Sequence, residues 1–437
     1  MRSRKIKIRA GLAAVCIVAI AAAVWAGSAR QVQAAGPVGS GTASATKAVC
    51  GMGTGKKATG TPIKLGGIDM LIPGVDFTTV GKLVGAYFDC VNDNGGIHGH
   101  PIQYVLYNEQ LNPTQEAALA RKLIESDKVV GVVGNTSFAE CGTNWRYYKS
   151  KGFVVIGAGV QAECFGTPSF AEVNMGPRYS NVGAAQALIA AGAKSIAIAS
   201  PSTISAYADS GVAALGKKDG IPVHIFPTQL PVTDANSTIL KLVQAAGSGG
   251  AVILDFTPDT APSLLNAAVA QGLVNQVKWG SSTPIADTQM AQQEKAFDGK
   301  MYINSEIALL SSKGPDETLY NQINAKYTPK IAIQSFGQFG YLAAKFATAA
   351  LLSINGPVTA KSYNLAVRNL KDQKTDMLCK PWYVGNALPY HIPNNVDITV
   401  DYKGGQVVQK QGCFAIAAVD PQITQTRVWE KKYHLQG

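Results

Sequence analysis

The feature that most constrains the fold of this chain is a regular alternation of short β-branched runs with longer helix-like segments. The alternation begins at Ile63, and its β-branched runs are almost continuously apolar. Apolar strands that alternate with helices indicate a parallel sheet covered by helices on both faces. The chain is therefore predicted to be an α/β protein with doubly wound sheets.

The predicted strands and helices fall into two sets and a further C-terminal stretch. The first set has predicted strands and helices at Ile63–Ile68, Thr79–Asn94, Ile102–Tyr107, Thr114–Asp127, Val129–Val133, Cys141–Lys151 and Phe153–Ile156. The second set, after Gly176-Pro177, has them at Tyr179–Ala191, Ser195–Ala199, Ala206–Lys217, Val223–Phe226, Asp234–Ala246, Ala251–Leu254, Thr260–Gln271 and Val277–Trp279. A short strand at Met301–Ile303 precedes helices at Asp316–Tyr327, Phe336–Ile354 and Lys361–Leu370, and β-like sequence runs from Pro381 to Phe414.

Two sets of this kind predict two Rossmann-like lobes. Lobe one is expected to comprise residues 62–176 and 301–378, and lobe two residues 177–300 and 379–437. Ligands of doubly wound sheets bind beyond the carboxyl ends of the strands, which places a ligand in the cleft between the lobes.

The N-terminal residues indicate export. Met1 to Arg9 carry five Lys/Arg, an apolar run extends from Ala10 to Gly27, and Val32-Gln33-Ala34 offers a small-residue cleavage site. This order of regions predicts a secretory signal peptide over residues 1–34. An apolar run of this length is also at the lower limit for spanning a bilayer, so an uncleaved membrane anchor is the alternative. Residues 35–61 are rich in small and polar types and predict a flexible lead-in.

Charge gives little support for a nucleic-acid partner. The formal net charge is +11, but six of the 39 Lys/Arg and none of the Asp/Glu precede residue 35. The mature chain would therefore carry a small positive charge, with no basic cluster interleaved with aromatic residues.

Cysteine usage agrees with export. Six cysteines follow the leader, and an even number in an exported protein implies disulfide bonds, although six allow 15 pairings. The chain has no C-x-x-C pair, and the His98-x-His100 pair lies in a glycine-rich turn with no third ligand nearby. No metal site and no cofactor is predicted.

Motifs of enzymatic chemistry are missing from the sequence. It contains neither a G-x-S-x-G elbow nor an H-E-x-x-H motif. A binding protein is therefore expected rather than an enzyme, with a secreted hydrolase as the less favoured reading.

From Ile63 to Leu370 the chain resembles the type I periplasmic binding proteins, specifically the branched-chain amino acid (Leu/Ile/Val) binding branch of ABC-transporter receptors. The resemblance is carried by the opening strand Ile63-Lys64-Leu65-Gly66, the turn Asn92 to Ile102 with its Gly95-Gly96 pair, Asn112-Pro113-Thr114, and Val132-Val133-Gly134. It implies a monomer whose lobes, joined by three crossovers near 174–177, 299–301 and 378–382, close on a small molecule and then present it to an ABC permease.

The resemblance also implies which residues contact the ligand, because the family places contacts on loops that follow strands. The implied contacts are Asn135, Thr136, Ser137, Phe138, Gly157, Ala158, Gly159, Gln161, Tyr207, Phe256, Thr257 and Ser282. It further implies disulfide pairs Cys141–Cys164, Cys379–Cys413 and Cys50–Cys90.

The sequence departs from the amino-acid binders at two ligand positions. The loop Gly157-Ala158-Gly159-Val160 lacks the hydroxyl expected for a ligand carboxylate, and Ser282 stands where an acid would pair with the ammonium. Asp255, Asp259 or Glu140 could replace that acid. The predicted ligand is thus an amino acid, an amide or a related small molecule, with urea-like and apolar-aromatic compounds gaining weight. A ligand-sensing ectodomain held by an uncleaved N-terminal helix is the alternative function.

Overall fold

A computed structural model describes residues 47–386, 388–390, 392–419 and 421–436. The predicted signal peptide, residues 1–34, lies outside the described residues. Across the described ranges, none of the helices combines the length and the apolar character needed to cross a membrane.

The first part of the chain builds a small, mainly parallel sheet. Its strands are β1 (Ile63–Ile72), β2 (Val75–Asp76), β3 (Ile102–Glu109), β4 (Gly131–Val132), β5 (Val155–Gly157) and β6 (Phe170–Glu172). β1 lies between β3 and β4 and pairs in parallel with both, whereas β2 turns back against the end of β1. β5 and β6 form a parallel pair that joins β4 through a bridge between Val133 and Ile156.

The second part of the chain builds a seven-stranded sheet. Its strands are β7 (Ile196–Pro201), β8 (Val223–Thr228), β9 (Ala251–Leu254), β10 (Lys278–Ser281), β11 (Met301–Ser305), β12 (Val396–Lys403) and β13 (Gln406–Ala415). The order is β13-β12-β11-β10-β9-β7-β8. β7 to β11 are parallel, and the antiparallel hairpin β12–β13 extends the sheet beyond β11. The predicted fold class, α/β with sheets rich in parallel strands, is confirmed.

Helices connect and cover the strands. They are α1 (Thr78–Asp93), α2 (Pro113–Arg121), α3 (Glu140–Lys151), α4 (Ala162–Gly166), α5 (Gly176–Ala190), α6 (Ser205–Ala208), α7 (Ser210–Asp219), α8 (Ala235–Ala246), α9 (Ala261–Ala270), α10 (Thr288–Gln293), α11 (Pro315–Tyr327), α12 (Ser335–Leu352), α13 (Ala360–Arg368) and α14 (Pro421–Tyr433). Asn112 caps α2, since its side chain accepts hydrogen bonds from the backbone N–H groups of Thr114 and Gln115. A π-helical turn, Lys122–Ser126, continues α2.

The strand β11 differs from the sequence-based expectation. It pairs with β10 and β12 in the second sheet, although residues from 301 onward are assigned by sequence to lobe one. It also ends at Ser305, two residues beyond its predicted end at Ile303. The division into two lobes itself stays a prediction.

The described part of the lead-in, residues 47–61, has a defined path. Its backbone N–H groups at Thr54 and Ala58 donate to the carbonyls of Asn94 and Asn92 at the end of α1. A disulfide joins Cys50 to Cys90 in α1. This stretch packs on the first sheet's helical layer and is not the flexible linker that its composition suggests.

All three implied disulfide pairs are present. Cys141–Cys164 joins α3 to α4, and Cys379–Cys413 joins the segment after α13 to β13. Together with Cys50–Cys90, they account for every cysteine in the described part of the chain.

Candidate functional site

A cavity lies between the two sheets, at the carboxyl ends of their strands. Loops that follow β1, β4, β5, β6, β7, β8, β9, β10 and β11 line it, together with the first turns of α12. The volume of the cavity is about 60 Å³. This is the position at which doubly wound sheets bind ligands.

The wall of the cavity is mainly apolar and rich in phenylalanine. Its aromatic members are Phe77, Phe138, Phe256, Phe336 and Phe339, and its aliphatic members include Val75, Val160, Ile204 and Leu230. The ring of Phe77 meets the rings of Phe138 and Phe336 edge to face, each at a centroid distance of 5.3 Å. These three rings come from different loops and from α12, so the aromatic surface forms only in the folded protein.

Two carboxyl groups interrupt the apolar wall. Asp255 directly follows β9 and Glu306 directly follows β11, and Ser282-Thr283 directly follow the intervening strand β10. Because these three strands are parallel neighbours, their carboxyl ends bring both acids to one edge of the cavity. Asp255 and Glu306 are only 6% and 5% exposed.

The acids are held by neutral donors. The Ser282 hydroxyl donates to Asp255 at 2.5 Å, and the Asn181 amide donates to the same carboxylate at 2.9 Å. Glu306 accepts hydrogen bonds from the Thr283 hydroxyl at 3.0 Å and from the Met175 backbone N–H at 2.6 Å.

Burial raises the pKa of both acids, to about 7 for Glu306, although these donors oppose the shift. Among the described residues that line the cavity there is no Lys, Arg or His. Neither acid therefore has a cationic partner in the wall.

A third feature closes one side of the cavity. The turn between β1 and β2 reaches the loop after β9, where the Gly74 carbonyl accepts hydrogen bonds from the Thr257 hydroxyl (3.1 Å) and the Thr260 hydroxyl (2.9 Å). The Asp76 backbone N–H donates to Asp259 at 3.1 Å. We call these contacts the cleft bridge, because they join the first sheet's turn to the second sheet's loop.

Five of the residues predicted to contact a ligand line the cavity. They are Phe138, Ala158, Phe256, Thr257 and Ser282. Asp255, one of the acids named as a possible substitute, lines it as well, whereas Asp259 belongs to the cleft bridge.

The other predicted contacts are not among the residues that line the cavity, and several of their polar groups form hydrogen bonds with other groups of the protein. The Asn135 side chain accepts from the Ile68 N–H at 2.9 Å, and the Ser137 hydroxyl donates to Glu109 at 2.5 Å. Thr136 is buried beside Asn135. Local hydrogen bonding of this kind places these side chains in the first sheet's interior.

The predicted contacts in β5 and in the loop after it also form hydrogen bonds within the protein. Gly157 belongs to β5, the N–H of Gly159 donates to Glu172 at 2.7 Å, and Gln161 accepts from the Gly142 N–H at 2.9 Å. Tyr207 lies with its ring 5.6 Å from the guanidinium carbon of Arg178.

Several lining residues have no counterpart among the predicted contacts. Phe77, Phe336 and Glu306 are the most consequential. Glu306 follows an apolar strand directly, and Phe336-x-x-Phe339 opens a long apolar helix. The position of Glu306 directly after a strand could have been predicted from the sequence. The Phe336-x-x-Phe339 pair could not, because this spacing is typical of any buried helix.

One cluster of metal-ligand type exists in the described ranges, formed by Cys141, Cys164 and Glu172. The two cysteines are bonded to each other, so they offer no thiolate to a metal ion.

Comparisons with known proteins agree with this geometry. The family model described as periplasmic binding protein matches residues 77–392, more than half of the chain. The comparison with curated proteins finds no match.

Solved structures with the same fold are numerous. A fatty acid ABC transporter substrate-binding protein from Thermomonospora curvata has a TM-score of 0.71 at 18% identity, covering 84% of this chain and 95% of that one. A branched-chain amino acid ABC transporter protein from Thermus thermophilus with bound valine has a TM-score of 0.71 at 13% identity, covering 86% and 99%. A solute-binding protein from R. palustris in complex with 4-hydroxybenzoate has a TM-score of 0.66 at 16% identity, covering 81% and 97%.

These likenesses establish the fold, and the family model covers β3 to β11 and most of the residues that line the cavity. The chain belongs to the periplasmic binding protein family, in its type I fold class.

Proposed function

We propose that this protein is the extracytoplasmic solute-binding component of an ABC importer and that it captures a small molecule with an apolar body. The observation that carries the proposal is the phenylalanine-lined cavity at the facing carboxyl ends of two sheets. A wall of this kind removes apolar ligand surface from water, which is the main source of affinity for small ligands.

The ligands named for the similar structures support an apolar body. A fatty acid, valine and 4-hydroxybenzoate each combine a hydrocarbon body with polar groups. The cavity has the same division, with Phe77, Phe138 and Phe336 on one side and Asp255 and Glu306 on the other. An amphipathic amino-acid derivative, amide or amine fits this division better than a sugar does.

Closure of the cleft would distinguish the ligand-bound protein from the ligand-free protein. The cleft bridge joins the two sheets through Gly74, Thr257 and Thr260 at the rim of the cavity. A ligand that contacts both walls would favour the arrangement in which this bridge is made. The closed surface, with both lobes in fixed relation, is what we expect the membrane permease to recognise. The predicted signal peptide fits this extracytoplasmic role, with the protein acting as a monomer.

A thermal-shift screen tests the proposed function. The protein from residue 35 onward would be melted with amino acids, amides, amines, aromatic acids, fatty acids and sugars. A ligand at 100 times its Kd raises the free energy of unfolding by about 2.7 kcal/mol, which gives a clear shift. A hit that Phe256→Ala abolishes supports the proposal. A hit that this variant retains in full, or no hit in any class, contradicts it.

A further inference from the structure

We propose that the ligand carries a protonated amine on its apolar body, and that Asp255 and Glu306 together pair with that amine. This inference rests on the proposed function, because it names the charge of the solute in the same cavity. It assigns the two acids as the residues that determine ligand class.

The first step is the placement of the two acids. They follow β9 and β11, and Ser282 and Thr283 at the end of β10 hold one each. Both acids line the cavity and both retain a small exposed fraction, 6% for Asp255 and 5% for Glu306. A ligand group at the end of β10 would therefore meet the acids that follow the two strands flanking β10.

The second step is the charge balance. Ionising both acids in an apolar wall with no Lys, Arg or His among its described residues costs free energy, because hydroxyl and amide donors replace only part of the lost hydration. Asp255 and Glu306 also disfavour each other's ionisation. A bound cation supplies the missing charge, whereas a bound carboxylate adds a third negative charge.

The third step is the character of the remaining wall. The faces of aromatic rings attract cations, and an amine held by carboxylates beside phenylalanine rings gains from both interactions. Phe77, Phe256 and Phe336 line the same cavity as the acids. The wall thus suits an organic amine more than an inorganic cation, which gains nothing from apolar burial.

A matched series of probes tests the inference. The series consists of 2-phenylethylamine, 2-phenylethanol and phenylacetate, with hexylamine, hexanol and hexanoate as the aliphatic counterpart. In each set the body is similar and the polar end is cationic, neutral or anionic. Calorimetric titration at pH 7 is expected to show each amine binding at least about tenfold more tightly than its alcohol, and no measurable binding of either acid.

Variants identify the residues responsible. Glu306→Gln and Asp255→Asn keep the side-chain shape and remove the charge, and each is expected to weaken amine binding by about tenfold or more while changing alcohol binding by less than threefold. Asp287→Asn is the matched control. Asp287 is buried and accepts a hydrogen bond from the Met290 backbone N–H at 3.0 Å, but it does not line the cavity. Its variant should bind the amine within threefold of the wild type, and melting curves of all variants verify folding.

The outcomes separate this inference from the proposed function. Alcohols or acids that bind as tightly as amines, with affinity that falls in Phe256→Ala, overturn the amine assignment and leave solute binding intact. Amine binding that survives both acid variants, or that falls equally in Asp287→Asn, also overturns it. If no amine binds while the broader screen finds an uncharged or anionic ligand, the assignment is wrong. If neither the screen nor the titrations detect a ligand, both the amine assignment and the proposed function are contradicted.

Discussion

At the scale of single residues, the aromatic wall makes a direct prediction. Phe77 contacts the rings of Phe138 and Phe336 and lines the cavity. Phe77→Leu should weaken ligand binding by about tenfold or more, because it removes ring surface from the ligand and from its neighbours. The measurement is a calorimetric titration with whichever ligand the thermal-shift screen identifies.

The matched control is Phe297→Leu. Phe297 is fully buried and meets the Trp279 ring edge to face at 5.2 Å, but it does not line the cavity. Both variants should lower the free energy of unfolding by about 1–3 kcal/mol, and only Phe77→Leu should lower the affinity. Equal losses of affinity in the two variants would mean that binding reports general stability.

The same residues show what sequence can and cannot predict at this scale. The sequence allowed us to predict which loops follow strands, and three residues predicted on that basis line the cavity: Phe138, Phe256 and Ser282. The direction in which each loop side chain points was not predictable, because it depends on hydrogen bonds to partners that are distant in the sequence. The hydroxyl of Ser137 donates to Glu109 instead of facing the cavity, a partner 28 positions away in the chain.

At the scale of elements, the cleft bridge gives a prediction about dissociation. Thr257 and Thr260 both donate to the Gly74 carbonyl, so Thr257→Val with Thr260→Val removes two hydrogen bonds and keeps the side-chain volume. Each bond is worth about 0.5–1.5 kcal/mol. The double variant should release ligand about fivefold to a hundredfold faster, with the association rate little changed.

Stopped-flow or surface-plasmon measurements of the dissociation rate check this expectation. Thr228→Val is the control, since its hydroxyl donates only locally, to the Phe226 carbonyl, at a distance of 3.0 Å. An unchanged dissociation rate in the double variant would show that the bridge does not hold the ligand-bound arrangement.

Most elements were predictable because their hydrophobic period was clear. β9 begins and ends where expected, α8 begins one residue later than expected, and α1 and α9 differ by one residue at each end. The short strand β6 and the polar helix α14 were missed. A three-residue strand carries too few residues for a period, and α14 has scattered apolar positions, so contacts with the rest of the chain define both.

At the scale of the whole molecule, buried carboxyl groups make stability depend on pH. Burial raises the pKa of Glu140 and Glu306 to about 7, of Glu317 to about 8 and of Asp209 to about 6. In an unfolded chain these groups titrate near 4. Their contribution to stability is therefore complete below about pH 4 and is lost as the pH rises through 6 to 8.

The expected result is a Tm on the order of 5 °C higher at pH 5 than at pH 8. Asp316 acts in the opposite sense, because its Lys345 partner helps to lower its pKa, but that contribution changes only at more acidic pH. Scanning calorimetry across this range is the measurement. Glu140→Gln should flatten the dependence, and a Tm that rises from pH 5 to pH 8 would contradict the account.

The fold class and the disulfide pairs followed from the sequence and the family resemblance, whereas the depth and chemistry of the cavity did not. Glu306 is the clearest case. It lies beside Asp255 only because β11 joins the second sheet next to β10, and the pairing partner of a short strand is a property of the whole fold.

A crystal structure of the protein with the ligand found by the thermal-shift screen would show directly where that ligand binds. We expect ligand density between the sheets, with the apolar body against Phe77, Phe256 and Phe336 and the polar end toward Asp255 and Glu306. Ligand density elsewhere, for example in the surface groove lined by Lys64, His98 and Lys128 near the start of β1, with the cavity between the sheets empty, would contradict it.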